Sequence, residues 1–176
     1  YHVDERQAER VGRTADMLLQ QCGETWNLES SFFDRILEWS ARLHEIGLDI
    51  SHDGYQRHGA YIAAHADLPG FPRAEQRFLA FLISSQRHNL STRYQKILPG
   101  AWREPALRLA ILLRLAVLLN RSRNQADMPA IALSVDEESL DLRFDPAWLE
   151  ANPLTVADLE READYLERVG YALSFR

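Results

Sequence analysis

The sequence predicts a mainly α chain: a helical bundle over residues 1–125, then a small α+β unit over 126–176 with a β-hairpin and a third strand. Three observations predict it. Apolar residues recur every three to four positions up to about Asn124, the spacing of amphipathic helices. The most apolar stretch, 106–119, is 14 residues long and is interrupted by Arg108 and Arg114. A membrane span needs about 20 apolar residues, so this stretch reads as a buried core helix whose two arginines must reach an edge or an anionic partner. Past Asn124, residues 130–135 and 140–144 alternate apolar and polar side chains around Asp136-Glu137-Glu138-Ser139, the signal of a hairpin.

The elements follow in order. A first helix is predicted over 4–22, with Val11, Ala15, Leu18 and Leu19 on one side and Gly23 ending it. A second opens after a Ser30 or Ser31 cap, carries Phe33, Ile36, Leu37 and Leu43, and is broken by Gly47. Residues 48–54 read as a loop. A third helix is predicted over 55–66, a turn at Leu68-Pro69-Gly70-Phe71-Pro72, a fourth helix over 73–87 and a fifth over 104–121 after a Pro99-Gly100 loop. Beyond the hairpin, Asp145-Pro146 starts a short helix, Thr155 caps another running to Arg168, Gly170 stops it, and 171–175 reads as the third strand.

Length and composition fit one globular domain, or one with an appendage: 176 residues, 46% hydrophobic and 26% charged. The single cysteine, Cys22, excludes an intramolecular disulfide framework and suits a reducing cytoplasm. The chain opens on Tyr1 without a secretory leader and reads as a piece of a longer polypeptide. Net charge is −6, yet eight basic residues stand against one acid, Glu104, between Arg87 and Arg123, a local excess of +7. Nineteen of the 20 basic residues are arginine, whose planar fork suits phosphate. A basic zone in an acidic chain focuses a phosphate-bearing ligand; it equally describes a solvated face. Trp26, Trp39, Trp102 and Trp148 read as packing anchors, and without interleaved aromatic and basic residues no nucleic-acid reader is predicted.

Five of the six histidines fall between positions 44 and 88. Histidine and carboxylate at helix ends are the donors of a divalent metal site. Each histidine taken alone reads as a carbonyl cap or a satisfied core group rather than as a ligand.

The string Arg42-Leu43-His44-Glu45-Ile46-Gly47, followed by Tyr55-Gln56-Arg57-His58-Gly59-Ala60-Tyr61-Ile62, resembles the HD-domain signature. It is most similar to the variant in the C-terminal half of the exopolyphosphatase / guanosine pentaphosphate phosphohydrolase family. Asp67-Leu68-Pro69-Gly70-Phe71 with Glu75, Arg87-His88, and the apolar run 112–120 resemble further elements of that family in the same order. The hairpin, the Trp148 segment and the last helix resemble its small C-terminal unit. The resemblance covers nearly the whole chain.

In that family an N-terminal, actin-like half binds the metal, expected to be Mg, and hydrolyses the phosphoanhydride. No Gly-x-Gly phosphate loop occurs here, so the resemblance implies a non-catalytic accessory domain with no cofactor of its own. It also implies a homodimer contact and a path for polyphosphate, alongside the catalytic domains of the same chain. Where a working HD site has its first histidine this chain has Gln7, the pair reads His44-Glu45 rather than His-Asp, and Val117 stands at the late aspartate. That leaves at most His44, Glu45 and His58, a degenerate pocket with no metal expected. Expected polyphosphate contacts are Arg57, His58, Arg87, His88, Arg93, Lys96, Arg121 and Arg123, with Arg108 and Arg114 divided evenly between binding and structure. Two competing readings are an HD-type nucleotide phosphohydrolase with a metal on His44, Glu45, His58 and His88, and a purely structural dimerisation domain.

Overall fold

A computed structural model describes residues 1–123 and 128–176; the boundary expected at 125/126 lies outside the described residues. Helix α1 spans Glu5–Cys22, and the Asp4 side chain accepts the Gln7 N–H at its start. Helix α2 spans Ser31–Leu43 and is capped by Ser30, which accepts from the Phe32 N–H. A 3₁₀ turn at Ile46–Asp49 leads to α3, Tyr55–His65. Helices α4 (Arg73–Ser84), α5 (Thr92–Lys96) and α6 (Gly100–Leu119) complete the bundle.

The remaining elements are β1 (Ala132–Val135), β2 (Ser139–Arg143), α7 (Pro146–Ala151), α8 (Pro153–Glu167) and β3 (Ala172–Phe175). The sheet order is β1-β2-β3. The hairpin is antiparallel with Leu133 opposite Leu142, and β3 joins β2 in parallel with Leu140 opposite Leu173. The parallel pairing follows from the connection: α7 and α8 carry the chain back across the sheet before β3 enters.

Several boundaries differ from the sequence expectation. Helix α4 ends at Ser84, not 87, because Gln86 turns inward and its amide donates to the His44 and Ile83 carbonyls at 2.6 and 3.0 Å. Helix α6 starts at Gly100, four residues early, and takes Pro105 into its second turn. Thr155 is not the cap of α8; Pro153 is its first residue, where a missing N–H costs nothing. Helix α5 and the 3₁₀ turn fall in stretches that read as loop.

One apolar cluster runs through both parts of the chain. Leu18, Trp26, Phe78, Phe81 and Leu109 of the bundle share it with Leu140, Leu142, Leu159 and Tyr171. Each such side chain contributes roughly 1.5–3 kcal/mol by leaving water. Trp26 packs edge-on against Tyr171 and donates its indole N–H to the Asp136 carbonyl at 2.7 Å. The side chain of Gln21 on α1 lies along the free edge of β1. It donates to the Ile131 carbonyl at 3.0 Å and accepts the Leu133 N–H at 2.8 Å, closing an edge that would otherwise invite pairing. Cys22 is fully buried, and desolvation pushes its thiol up to about 12. Among the described residues no helix is long and apolar enough to cross a membrane.

The two core arginines are both partnered inside the fold. Arg108 donates to the Trp26 and Glu137 carbonyls and the Tyr171 hydroxyl, and pairs with Glu104. Arg114 is 1% exposed; its Nε and Nη2 meet the two oxygens of buried Glu162 at 2.5 and 3.1 Å, and its Nη1 reaches the Ser85 carbonyl. The fork-on-carboxylate geometry satisfies a charge that α6 carries into the core.

Candidate functional site

The site begins with a close backbone approach. Gly47 lies so near the start of α3 that a Cβ there would stand 1.9 Å from the Tyr55 carbonyl oxygen and 2.6 Å from the Gly59 nitrogen. Only glycine permits that contact. It pins the preceding His44-Glu45 doublet beside Tyr55, and the Gln86 amide ties the His44 carbonyl to the end of α4.

His44 is 1% exposed. Its Nδ1 lies 2.6 Å from the Ala41 carbonyl, which can only accept, so the assigned tautomer carries its proton on Nδ1. Its Nε2 has no hydrogen-bond partner among the described residues; Glu45 Oε1, another acceptor, is 3.9 Å away. Desolvation holds the imidazole below its ordinary 6.5.

Gln7, the His44-Glu45 doublet and Val117, the positions that the resemblance matches to the ligands of an HD site, line one cavity of about 190 Å³. The amide of Gln7 donates to the Asn120 carbonyl at 2.9 Å, and its oxygen accepts from Arg10. Val117 offers no donor atom. The guanidinium of Arg123 ion-pairs with Glu45 and, at 3.0 Å, with Asp4. The cavity wall is completed by Tyr55, Arg87 and Arg121, and by His52, which sequence reasoning did not single out. Arg87 lies over the Tyr55 ring at 5.3 Å.

Arg87 and Arg121 also line a smaller cavity of about 70 Å³ with His88, Arg161 and Tyr165. Arg121 pairs there with Asp158 at 2.8 Å. Desolvation, then the charges of Arg87, Arg114, Arg121 and Arg57, hold the His88 imidazole below its usual value. His88 and Arg123 both adopt left-handed backbone, φ +57° and +53°. The conformation costs a side-chain-bearing residue on the order of 1 kcal/mol or more, and such residues gather at functional sites.

Of the expected contact residues, Arg87, His88, Arg121 and Arg123 are therefore brought together. The guanidinium of Arg57 folds back over Gly54 at the start of α3. His58 is half-buried one turn on and lines neither cavity, so the doublet's histidine neighbour in the cavity is His52. Arg93 and Lys96 are exposed on α5 and also line neither; Arg93 lies over the Tyr94 ring. Among the described residues no three His, Cys, Asp or Glu side chains are grouped to hold a metal ion.

A helical bundle with this histidine–glutamate corner, joined to a small mixed sheet, defines a phosphatase-family module: the family described as Ppx/GppA phosphatase, domain III, matches residues 1–163, and the chain belongs to it. In sequence it is 40% identical over 176 residues to the guanosine-5'-triphosphate,3'-diphosphate pyrophosphatase of Vibrio cholerae, covering 99% of this chain and 35% of that protein. The relative of the same description from Vibrio campbellii is also 40% identical over the same shares, and that from Pseudoalteromonas translucida is 33% identical over 98% of this chain and 35% of its own length. The chain thus spans about a third of the length of these curated relatives.

Proposed function

We propose that this chain is the non-catalytic, phosphate-polymer-holding module of a phosphoanhydride-hydrolysing enzyme, and that it also carries a homodimer contact. The relatives are described as acting on guanosine 5'-triphosphate 3'-diphosphate. In this reading the whole protein works on that nucleotide and, as an exopolyphosphatase, on polyphosphate in the cytoplasm. Catalysis and its Mg ion belong to the actin-like half. The observation that carries the reading is that Arg87 and Arg121 line two adjoining cavities at once, with His88 beside them in the smaller and Arg123 in the larger. A polymer with about one negative charge per phosphate is gripped by such a cluster through charge-assisted contacts without any sequence code.

The metal-dependent alternative is disfavoured by donor chemistry. A divalent ion needs several anionic or imidazole donors facing one point. Here Gln7 is engaged by backbone, Val117 has no lone pair, and the Glu45 carboxylate is neutralised by Arg123. An internal cation sits where an ion would have to compete.

Binding of long-chain polyphosphate to the intact protein tests the reading. Replacing Arg87 and Arg121 together by Gln is expected to weaken binding by at least about tenfold, since each charge-assisted contact is worth about 1.5–3 kcal/mol. The Arg93→Gln, Lys96→Gln pair is expected to change it by less than about threefold. Equal losses in the two pairs would refute the assignment of the grip to the cavity arginines. Dimer retained with no polymer binding would favour the purely structural domain.

A further inference from the structure

The His44 cavity has a property that a plain cationic groove lacks: a buried acceptor without a donor. Nδ1 is committed to the Ala41 carbonyl, so Nε2 presents a bare lone pair. Glu45 Oε1, 3.9 Å away, is also an acceptor and cannot satisfy it. Leaving such an atom unpaired in the interior is costly and calls for an explanation at each site where it occurs. Burial keeps the ring neutral and so preserves the lone pair.

The same cavity is lined by three guanidinium groups, those of Arg87, Arg121 and Arg123, the last ion-paired with Glu45. Arg87 is fixed over Tyr55, and Arg121 keeps N–H groups beyond the one it gives Asp158. At about 190 Å³ the cavity is smaller than sites that enclose drug-sized molecules, about 300–1,000 Å³, and has room for a single small ion rather than a nucleoside. Guanidinium donors sharing a cavity with a neutral acceptor complement an oxyanion that carries its own proton. Phosphate with a P–OH is such an ion at neutral pH. Sulfate is not, and neither is an interior phosphate of a polymer, whose bridging oxygens replace the hydroxyl.

We propose that the cavity is a binding site for a protonated phosphate group, either free orthophosphate or the end of a phosphate chain, its P–OH donating to His44 Nε2 and its anionic oxygens accepting from Arg87 and Arg121. The inference rests on the phosphate-polymer reading above and adds to it: the module distinguishes an end group or released phosphate from the middle of a chain.

The test uses the intact protein with ¹⁵N-labelled histidine, following the His44 Nε2 resonance, assigned by its disappearance in His44→Phe. Orthophosphate is expected to move this resonance, and sulfate at equal ionic strength to bind at least about tenfold more weakly, the penalty for leaving one buried group unpaired. His44→Phe is expected to bring orthophosphate down to the sulfate affinity. Should that variant fail to fold, Arg87→Gln serves instead and is expected to weaken both anions alike. Tripolyphosphate moving the resonance as orthophosphate does assigns the site to chain ends; orthophosphate alone doing so assigns it to the released product. Equal affinities for phosphate and sulfate, or a His44 resonance moved by zinc and untouched by phosphate, would overturn the proposal. Long-chain polyphosphate that still binds through Arg87 and Arg121 while His44 stays silent removes this site and leaves the polymer grip standing.

Discussion

The guanidinium of Arg123 is ion-paired with the buried carboxylate of Glu45, 78 residues away in the sequence. The same guanidinium reaches Asp4, so one side chain joins the start of α1, the doublet after α2 and the segment after α6. The pair closes the cavity and neutralises a carboxylate that is only 9% exposed.

Removal of that cation therefore strands a charge. Arg123→Ala is expected to lower unfolding free energy by about 1–2 kcal/mol: less than for a wholly buried pair because the guanidinium is 43% exposed, more than for a surface pair because the carboxylate is not. Urea unfolding measures it, and Glu45→Gln with Arg123→Ala should cost less than the sum of the two single changes.

A larger loss is expected where both partners are inside. Glu162→Gln leaves Arg114 uncompensated in the core, and the expected cost is about 3–5 kcal/mol. Replacing both residues together by Leu and Met of similar volume should recover most of it. A fully additive double variant in thermal or chemical unfolding would contradict the pairing.

Acid should find His44. Its imidazole is held below 6.5 in the fold by desolvation, while the unfolded chain titrates near 6.5. Between those two values the unfolded state binds the proton that the native state refuses. The stability contributed is complete above 6.5 and is lost as pH falls through the window beneath it. Unfolding curves between pH 7.5 and 5 should show this acid loss, and His44→Phe should flatten it.

The bundle was legible because its helices are long enough to display their period. Val11, Ala15, Leu18 and Leu19 mark α1, and all four are buried. The hairpin was legible from alternation alone, and the Leu140 and Leu142 face is indeed the core face. Helix α5 was not, because five residues offer no repeat to read. The parallel entry of β3 was not, because it depends on the return path rather than on any residue within the strand. For the site, a charge count located the basic zone but could not sort it. Arg108 and Arg114 share that zone with Arg87 and Arg121, and burial separates the pair that holds the core from the pair that lines the larger cavity, although Arg114 also borders the smaller one. Gly47 read as a helix breaker; its larger role, admitting the Tyr55 carbonyl, is a tertiary contact with no local signature. Tyr55 and His52 lacked any such signal too, since both join the cavity through packing.

The grip on phosphate polymer is tested most directly at His88, whose imidazole is held below its ordinary value by desolvation and then by the charges of Arg87, Arg114, Arg121 and Arg57. A polyanion seated at Arg87 and Arg121 weakens the field of those groups, so the bound ring is easier to protonate and binding tightens as pH falls. Titration of the His88 ring by NMR, with and without saturating long-chain polyphosphate, should show its pKa rising in the bound state. A His88 titration that does not move while the polymer is bound would contradict the account.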